Sequence, residues 1–359
     1  MALCSASPAA AASADEPLGR LNWGVAQSAG SLQALVDHEP ESEVAASTSK
    51  VLKVAEDSLS EPLLVIPEFQ TEGILFTDPR YKQSVAASRQ LTDVYSWAMC
   101  ARVGNGLLQG KCRAKAVEAV NAWVGTYKPT GNPINEAHLI PLLQAIDLAR
   151  PLLDDAQSAA AMKWLAGIVQ TNDAYYAKIP DSSANKINNH ATWGFSLRAI
   201  EAAVLGDPDQ IASSRDLLAQ HLQRNIRADG STYDFVERDA LHYHQYDLQP
   251  LVQVLEYVPG AIDAGGEALI LKALELMQPY VTGSAQHVEF VGSKVRFDAE
   301  RRNAGDPTFA TAPWQLKDGA FTLLMARAYF PTIRPWTQAV VEGSYTPRVR
   351  QLAALYAAP

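Results

Sequence analysis

Asn188, Asn189 and His190 stand together at the head of the stretch "INNHATWGFSLRAIEAA", and Arg238 and Tyr243 follow within "RADGSTYDFVERDALHYHQYDLQPL". Amide, imidazole and guanidinium groups brought to one point suit a carboxylate whose negative charge has to be held or spread. A phenol beside them can take and return a proton when cationic neighbours lower its pKa. Removal of the proton α to a carboxylate makes this demand: the acid is neutralised so that the developing enolate is tolerated, and a leaving group then departs. On a uronic acid the outcome is β-elimination. The pattern needs no carboxylate pair, and it implies no metal and no cofactor. His242 and His244 form an H-x-H pair with strand rather than helix-face spacing, which argues against zinc.

Helices must bring these residues together. Segments 85–104, 112–127, 135–153, 155–173, 188–205, 207–226, 240–258, 265–283 and 314–331 read as helices, with apolar residues recurring at helical spacing. A last short helix is expected at 346–357. The breaks are short and carry Gly, Pro or Asp, so neighbouring helices should pair as antiparallel hairpins. A pair spacing of roughly 40–50 residues suggests a solenoid or a closed ring of helix pairs. Asn188 is the natural N-cap, because its side-chain oxygen can accept an orphan N–H, and this leaves Asn189 and His190 for a ligand. With helices alternating up and down, the heads of 188–205 and 240–258 face each other across a cleft. Residues 60–83 read as an extended, Pro-bounded loop, and 284–306 as a polar segment with β-like alternation. Long irregular segments of this kind often wall or cover a cleft.

The chain has 359 residues, 48% of them apolar, enough for a large core. A net charge of −9 argues against a nucleic-acid surface. No apolar run approaches the length of a membrane-spanning helix, so no membrane partner is expected. Cys4, Cys100 and Cys112 make no disulfide framework, and spacing alone does not decide whether Cys100 and Cys112 pair. Residues 1–20 read as the remnant of a secretory leader, with an A-x-A-like "ASA" at 12–14 but no basic front, or as a disordered tail. A leader would place the protein in the periplasm or outside the cell. Residues 21–359 then form one domain, expected to act as a monomer.

Taken together, "NNHATW" and "RDALHYHQYDLQPL" resemble the alginate lyase family of polysaccharide lyases and its glucuronan-cleaving relatives, over roughly residues 89–314. The resemblance implies an all-α fold, an incomplete α/α toroid of antiparallel helix hairpins with a long lid loop, acting on an anionic polysaccharide. It implies that Asn189, His190 and Arg238 bind and neutralise the substrate carboxylate and that Tyr243 transfers the proton. Tyr243 lies 53 residues after His190, close to the family separation. Arg238 stands nearer to the Tyr than in some members. Arg80 and Tyr81 would be the lid's contribution.

Further candidates for sugar contact are Trp123, Asn132 and Asn135 near helix ends. His242 and Tyr246 flank Tyr243. Trp193 is a stacking or core side chain, and Arg296 and Arg301 are uronate contacts or a solvated charge run. Mannuronate and glucuronate share configuration at C4 and C5, so one Tyr can act as base and then acid in a syn elimination on either. Guluronate is epimeric at C5 and would need a base on the opposite face, for which His190 is the candidate. Two other readings stay open. One is a glycoside hydrolase using carboxylates among Asp234, Glu237 and Asp239; the other is a non-catalytic protein that binds uronate polymers.

Overall fold

Short polar side chains start the helices. The computed structural model describes residues 16–24 and 28–342; the helix expected at 346–357 and Cys4 lie outside the described residues. Ser28 caps α1 (Ala29–His38) in a reciprocal box with Ser31, and Ser42 caps α2 (Glu43–Ser58). Asp78 and Pro79 open α3 (Pro79–Val103), and α4 (Gly106–Thr126) runs back beside it. A Cys100–Cys112 disulfide joins these two helices, with the Cα atoms 5.8 Å apart. One turn, α5 (Pro133–Glu136), leads into α6 (Ile140–Ala149), and Asp154 caps α7 (Asp155–Lys178).

Asn188 caps α8 (Asn189–Leu205) by accepting the His190 N–H at 3.1 Å. This helix ends at Gly206, whose φ of 72° is the left-handed conformation that glycine adopts without a Cβ penalty. Then follow α9 (Pro208–Asn225), α10 (Tyr233–Arg238), α11 (Leu241–Tyr257) and α12 (Ala264–Leu276). The single turn α13 (Gln278–Val281), α14 (Arg296–Asn303), α15 (Leu316–Tyr329) and α16 (Gln338–Glu342) complete the described chain.

The inner layer consists of α3, α6, α8, α11 and α15, each packed against the next, with α4, α7, α9 and α12 outside them. Inner helices are covered on several sides, so α8 and α11 bury most of their residues. The fold is an incomplete α/α toroid, with no strand among the described residues and only isolated bridges such as Val288 with Pro313.

Four details differ from the sequence reading. Helices α1 and α2 precede residue 60, where small and polar residues blur the apolar stripe. Residues 79–83 are helical rather than extended, because Asp78 caps and Pro79 presets the first turn of α3. Segment 284–306, read as polar and irregular with β-like alternation, contains α14. The folded unit also begins before residue 20: Leu18, Leu21 and Trp23 are buried, and the Asp147 carboxylate accepts from Arg20 N, Leu21 N and Trp23 Nε1 at 2.8–3.0 Å.

Candidate active site

The heads of α8 and α11 open onto one cavity of about 250 Å³, and Asn189, His190, Arg238, His242, Tyr243 and Tyr246 all line it. A tight corner sets the last three against Arg238. The chain leaves α10 through Asp239, at φ 48°, and re-enters helix two residues later. The Asp239 carbonyl accepts from the Phe290 N–H at 2.7 Å, and Phe290 itself sits at φ 61°. Left-handed backbone is tolerated by Asp but costs on the order of 1–3 kcal/mol for a residue such as Phe, so surrounding contacts must hold this corner. The result places the Arg238 guanidinium 3.8 Å from the centre of the Tyr243 ring.

Arg238 is already committed. It donates to Asp234 at 3.2 Å and to Asp298, and Asp234 also accepts the Asn189 N–H at 2.6 Å. Burial works against the Arg238 charge, but Tyr243, Asp298 and Asp234 outweigh it and keep the guanidinium firmly protonated. Burial pushes the Tyr243 phenol up to about 12, while the Arg238 charge pulls it back. Burial also lowers the His190 pKa, against the pull of Glu72 and Asp234, so the imidazole is neutral at pH 7. Among the described residues lining the cavity, Asn189 Nδ2, His190 Nδ1 and Arg301 Nε are buried and unbonded. Such groups are costly to leave unmade, and they are free for an incoming ligand.

The predicted contacts divide. Tyr81, from the first turn of α3, and Arg301 line the cavity with the central set. Arg301 is buried, paired with Asp306 at 3.3 Å, and donates to the Ile74 carbonyl, so it ties α14 to the 60–78 loop. Arg80 is exposed and paired with Asp78, Arg296 is exposed and paired with Glu300, and neither reaches the cavity. Trp123 is fully buried and stacks on Phe69 at 5.8 Å, which makes it a core residue.

Asn132 and Asn135 act on the loop instead of on the cavity. Asn132 caps α5 and donates to Glu72 at 3.3 Å; Asn135 Oδ1 accepts from Thr71 N and Glu72 N at 2.8 and 3.0 Å. Trp193 packs on Tyr246 at 5.2 Å and lines an adjoining cavity.

Sequence reasoning missed Glu72, His138 and Asp298. Glu72 sits 3.9 Å from His190 Nε2, and His138 is held between the Ser88 and Thr71 hydroxyls. The Asp234–Arg238 pair has i,i+4 spacing and was readable as an ion pair. Asp298 and Glu72 arrive from distant segments and have no local signal.

A helical toroid with a polar cleft at the heads of its inner helices, holding an Asn–His pair opposite an Arg–Tyr pair, defines the class. The alginate lyase family model matches residues 66–286, and the chain belongs to that family. A polysaccharide lyase of Stenotrophomonas maltophilia (strain K279a) is 26% identical over 195 residues, 50% of this chain; the match spans 57% of that relative's length. Among solved structures, a His-to-Ala variant of alginate lyase A1-III complexed with a tetrasaccharide has a TM-score of 0.52 at 16% identity, over 86% of this chain and 89% of the other. A Tyr-to-Phe variant of that enzyme, also with a tetrasaccharide, gives 0.53 at 15%, over 89% and 95%. At such identity the likeness establishes the fold.

Proposed function

We propose that this protein is a polysaccharide lyase that cleaves a β-1,4-linked uronate polymer by β-elimination, with mannuronate-rich alginate and glucuronan as first substrates. The observation that carries the reading is the pairing across one cavity of the unbonded Asn189 Nδ2 and His190 Nδ1 with Tyr243 stacked under Arg238. Asn189 and His190 hold the substrate carboxylate. Tyr243, as phenolate, removes the C5 proton; the C4–C5 double bond forms and the C4–O bond breaks. The same proton returns from Tyr243 to the departing glycosidic oxygen, so no water is consumed. Arg238 favours the phenolate that burial opposes.

The two solved relatives fit this reading, since a His-to-Ala and a Tyr-to-Phe change each accompany a bound tetrasaccharide in alginate lyase A1-III. The disulfide between α3 and α4 supports a periplasmic or secreted location, because such bonds persist in oxidising compartments. A hydrolase would need two carboxylates flanking the bond. Among the described residues lining the cavity only Glu72 supplies one, while Glu237 is paired with Lys294 and Asp239 bonds Gly292 N.

The test is ultraviolet absorbance of the purified chain mixed separately with polymannuronate, polyguluronate and glucuronan, with Tyr243→Phe alongside. A rise from the conjugated double bond that the variant abolishes is expected. New reducing ends without absorbance would mean hydrolysis, and neither signal would leave a binding protein.

A further inference from the structure

One turn along from Asn189 and Tyr243, a buried polar cluster joins the elements that carry the site. Thr192 on α8 follows Asn189 by three residues and Asp247 on α11 follows Tyr243 by four, so each shares a helix face with its site residue. Thr192, His221, Asn225 and Asp247 are all buried, and no cation pairs with Asp247 among the described residues. The Thr192 hydroxyl meets the other three: His221 Nε2 at 2.7 Å, Asn225 Nδ2 at 3.1 Å, and Asp247 Oδ1. Asn225 Oδ1 accepts the Tyr233 N–H at 3.0 Å, which fixes the amide and turns Nδ2 toward Asp247 Oδ2 at 2.7 Å. Through Tyr233 the cluster also reaches α10, which ends in Arg238.

Resting on the lyase reading above, we propose that Asp247 is a positioning residue that works as a neutral carboxylic acid. Its O–H holds the head of α8 against α11, so that Asn189 and His190 face Tyr243. Proton counting carries the assignment. The Thr192 hydroxyl has one hydrogen and cannot donate to both His221 Nε2 and Asp247 Oδ1. Asn225 Nδ2 also lies 3.3 Å from His221 Nε2, and a donor facing that nitrogen calls for its lone pair. Thr192 then donates to His221, and the remaining contact needs the Asp247 O–H to donate to Thr192. The His221 proton is left on Nδ1, buried without a polar partner, with the Phe195 ring centre 5.5 Å from its own. Burial and the charge of Asp234 both favour the protonated form of Asp247, and burial with Arg224 keeps His221 neutral. Asp234 has Arg238 as its cation and also holds the Asn189 N–H; Asp247 has none and serves between the helices uncharged.

The test sets Asp247→Asn beside Thr192→Val in the full chain, with circular dichroism to verify both folds. An Asn amide is always neutral and can donate to Thr192 while accepting from Asn225. Asp247→Asn should therefore keep kcat within about threefold and leave the pH–rate profile where it was. Thr192→Val removes the hydroxyl at nearly constant volume. It should lower kcat roughly tenfold or more with a smaller change in KM, because Asn189 and His190 no longer stand correctly for the transition state. Independently of turnover, nitrogen-15 NMR of the histidine-labelled protein should show His221 protonated at Nδ1 alone, its signals identified by their loss in His221→Gln. An inactive or misfolded Asp247→Asn, an unchanged kcat in Thr192→Val, or a proton on His221 Nε2 overturns the proposal and leaves the lyase intact. No unsaturated product from any polymer overturns the lyase reading, and the His221 tautomer with the stability of Asp247→Asn then decides by itself whether Asp247 is neutral.

Discussion

Two cavities share a wall in this toroid, and they are built on opposite electrostatic plans. The one at the heads of α8 and α11 holds Arg238, Arg301 and Glu72, with Asp234 and Asp298 buried behind Arg238. Its neighbour is walled by aromatic rings and amides. Yet the charges of the first are largely spent on one another: Arg238 serves two carboxylates and Arg301 serves Asp306. The groups left over for a ligand are Asn189 Nδ2, His190 Nδ1 and one edge of the Arg301 guanidinium, its Nε, with Tyr243 for the proton. In this architecture most of the buried charge tunes a reacting group, and the holding falls to Asn189, His190 and the free edge of Arg301.

The comparison can be broken most sharply at Tyr243. Tyr243→Phe should lower kcat roughly a thousandfold or more, as expected when a general base and acid is lost. Conservative changes in the second cavity should act mainly on KM. Steady-state kinetics separate the two outcomes, and a Tyr243→Phe enzyme with near-normal kcat would remove the phenol from the mechanism.

Asn189→Ala and His190→Ala come next, each expected to cost about a hundredfold in turnover, the typical consequence of deleting one donor to a developing oxyanion. Arg238→Ala should match them in turnover. It should also lower stability by about 3–5 kcal/mol, because Asp234 and Asp298 would be left buried without their cation. Urea denaturation beside kinetics would distinguish these variants; equal stability for all three would contradict the ion-pair account.

A finer probe is Asp298→Asn. The Asp298 charge raises the Tyr243 pKa, so its removal should move the rising limb of the pH–rate profile, which reports the phenolate, to lower pH, by up to about one unit. A shift to higher pH would refute the assignment of that limb to Tyr243. Smaller still is Glu72→Gln. The Glu72 carboxylate stands beside His190, in reach of the place assigned to the substrate's acid, so neutralising it should lower KM by about two- to fivefold at low salt.

The least dramatic expectation concerns stability. Burial raises Glu256 to about 8 and Glu289 to about 7. The folded chain therefore binds more protons than the unfolded one above the ordinary glutamate range. Their contribution is full below that range and is lost as pH rises through about 7–8. The melting temperature should fall between pH of about 5 and about 9, and less so in Glu256→Gln; a rise over that interval would oppose the sign.

Much of this was legible before any coordinates. Asn188, Asp154 and Asp207 announce helix starts, Gly104 and Gly206 announce stops, and the apolar period marks the layers between. The convergence of Asn189, His190, Arg238 and Tyr243 followed from helix heads alternating around a ring. Trp123 misled because an aromatic residue near a helix end serves a core and a sugar platform equally well, and only packing on Phe69 separates them. Asn132 and Asn135 were placed near the cleft, but their amides turn to the Thr71–Glu72 backbone and carboxylate.

Capping and periodicity act within a turn or two of the chain, so residue types and spacing determine where helices run and which side chains stand at their heads. Proton affinities and partners depend on what burial and ring closure bring from far away. Asp298 reaches Arg238 across 60 residues, and Arg301 holds a loop 227 residues distant. Desolvation of Tyr243, neutrality of His190 and the uncharged second cavity have no local cause, and they arise only once the inner helices have packed around the cleft.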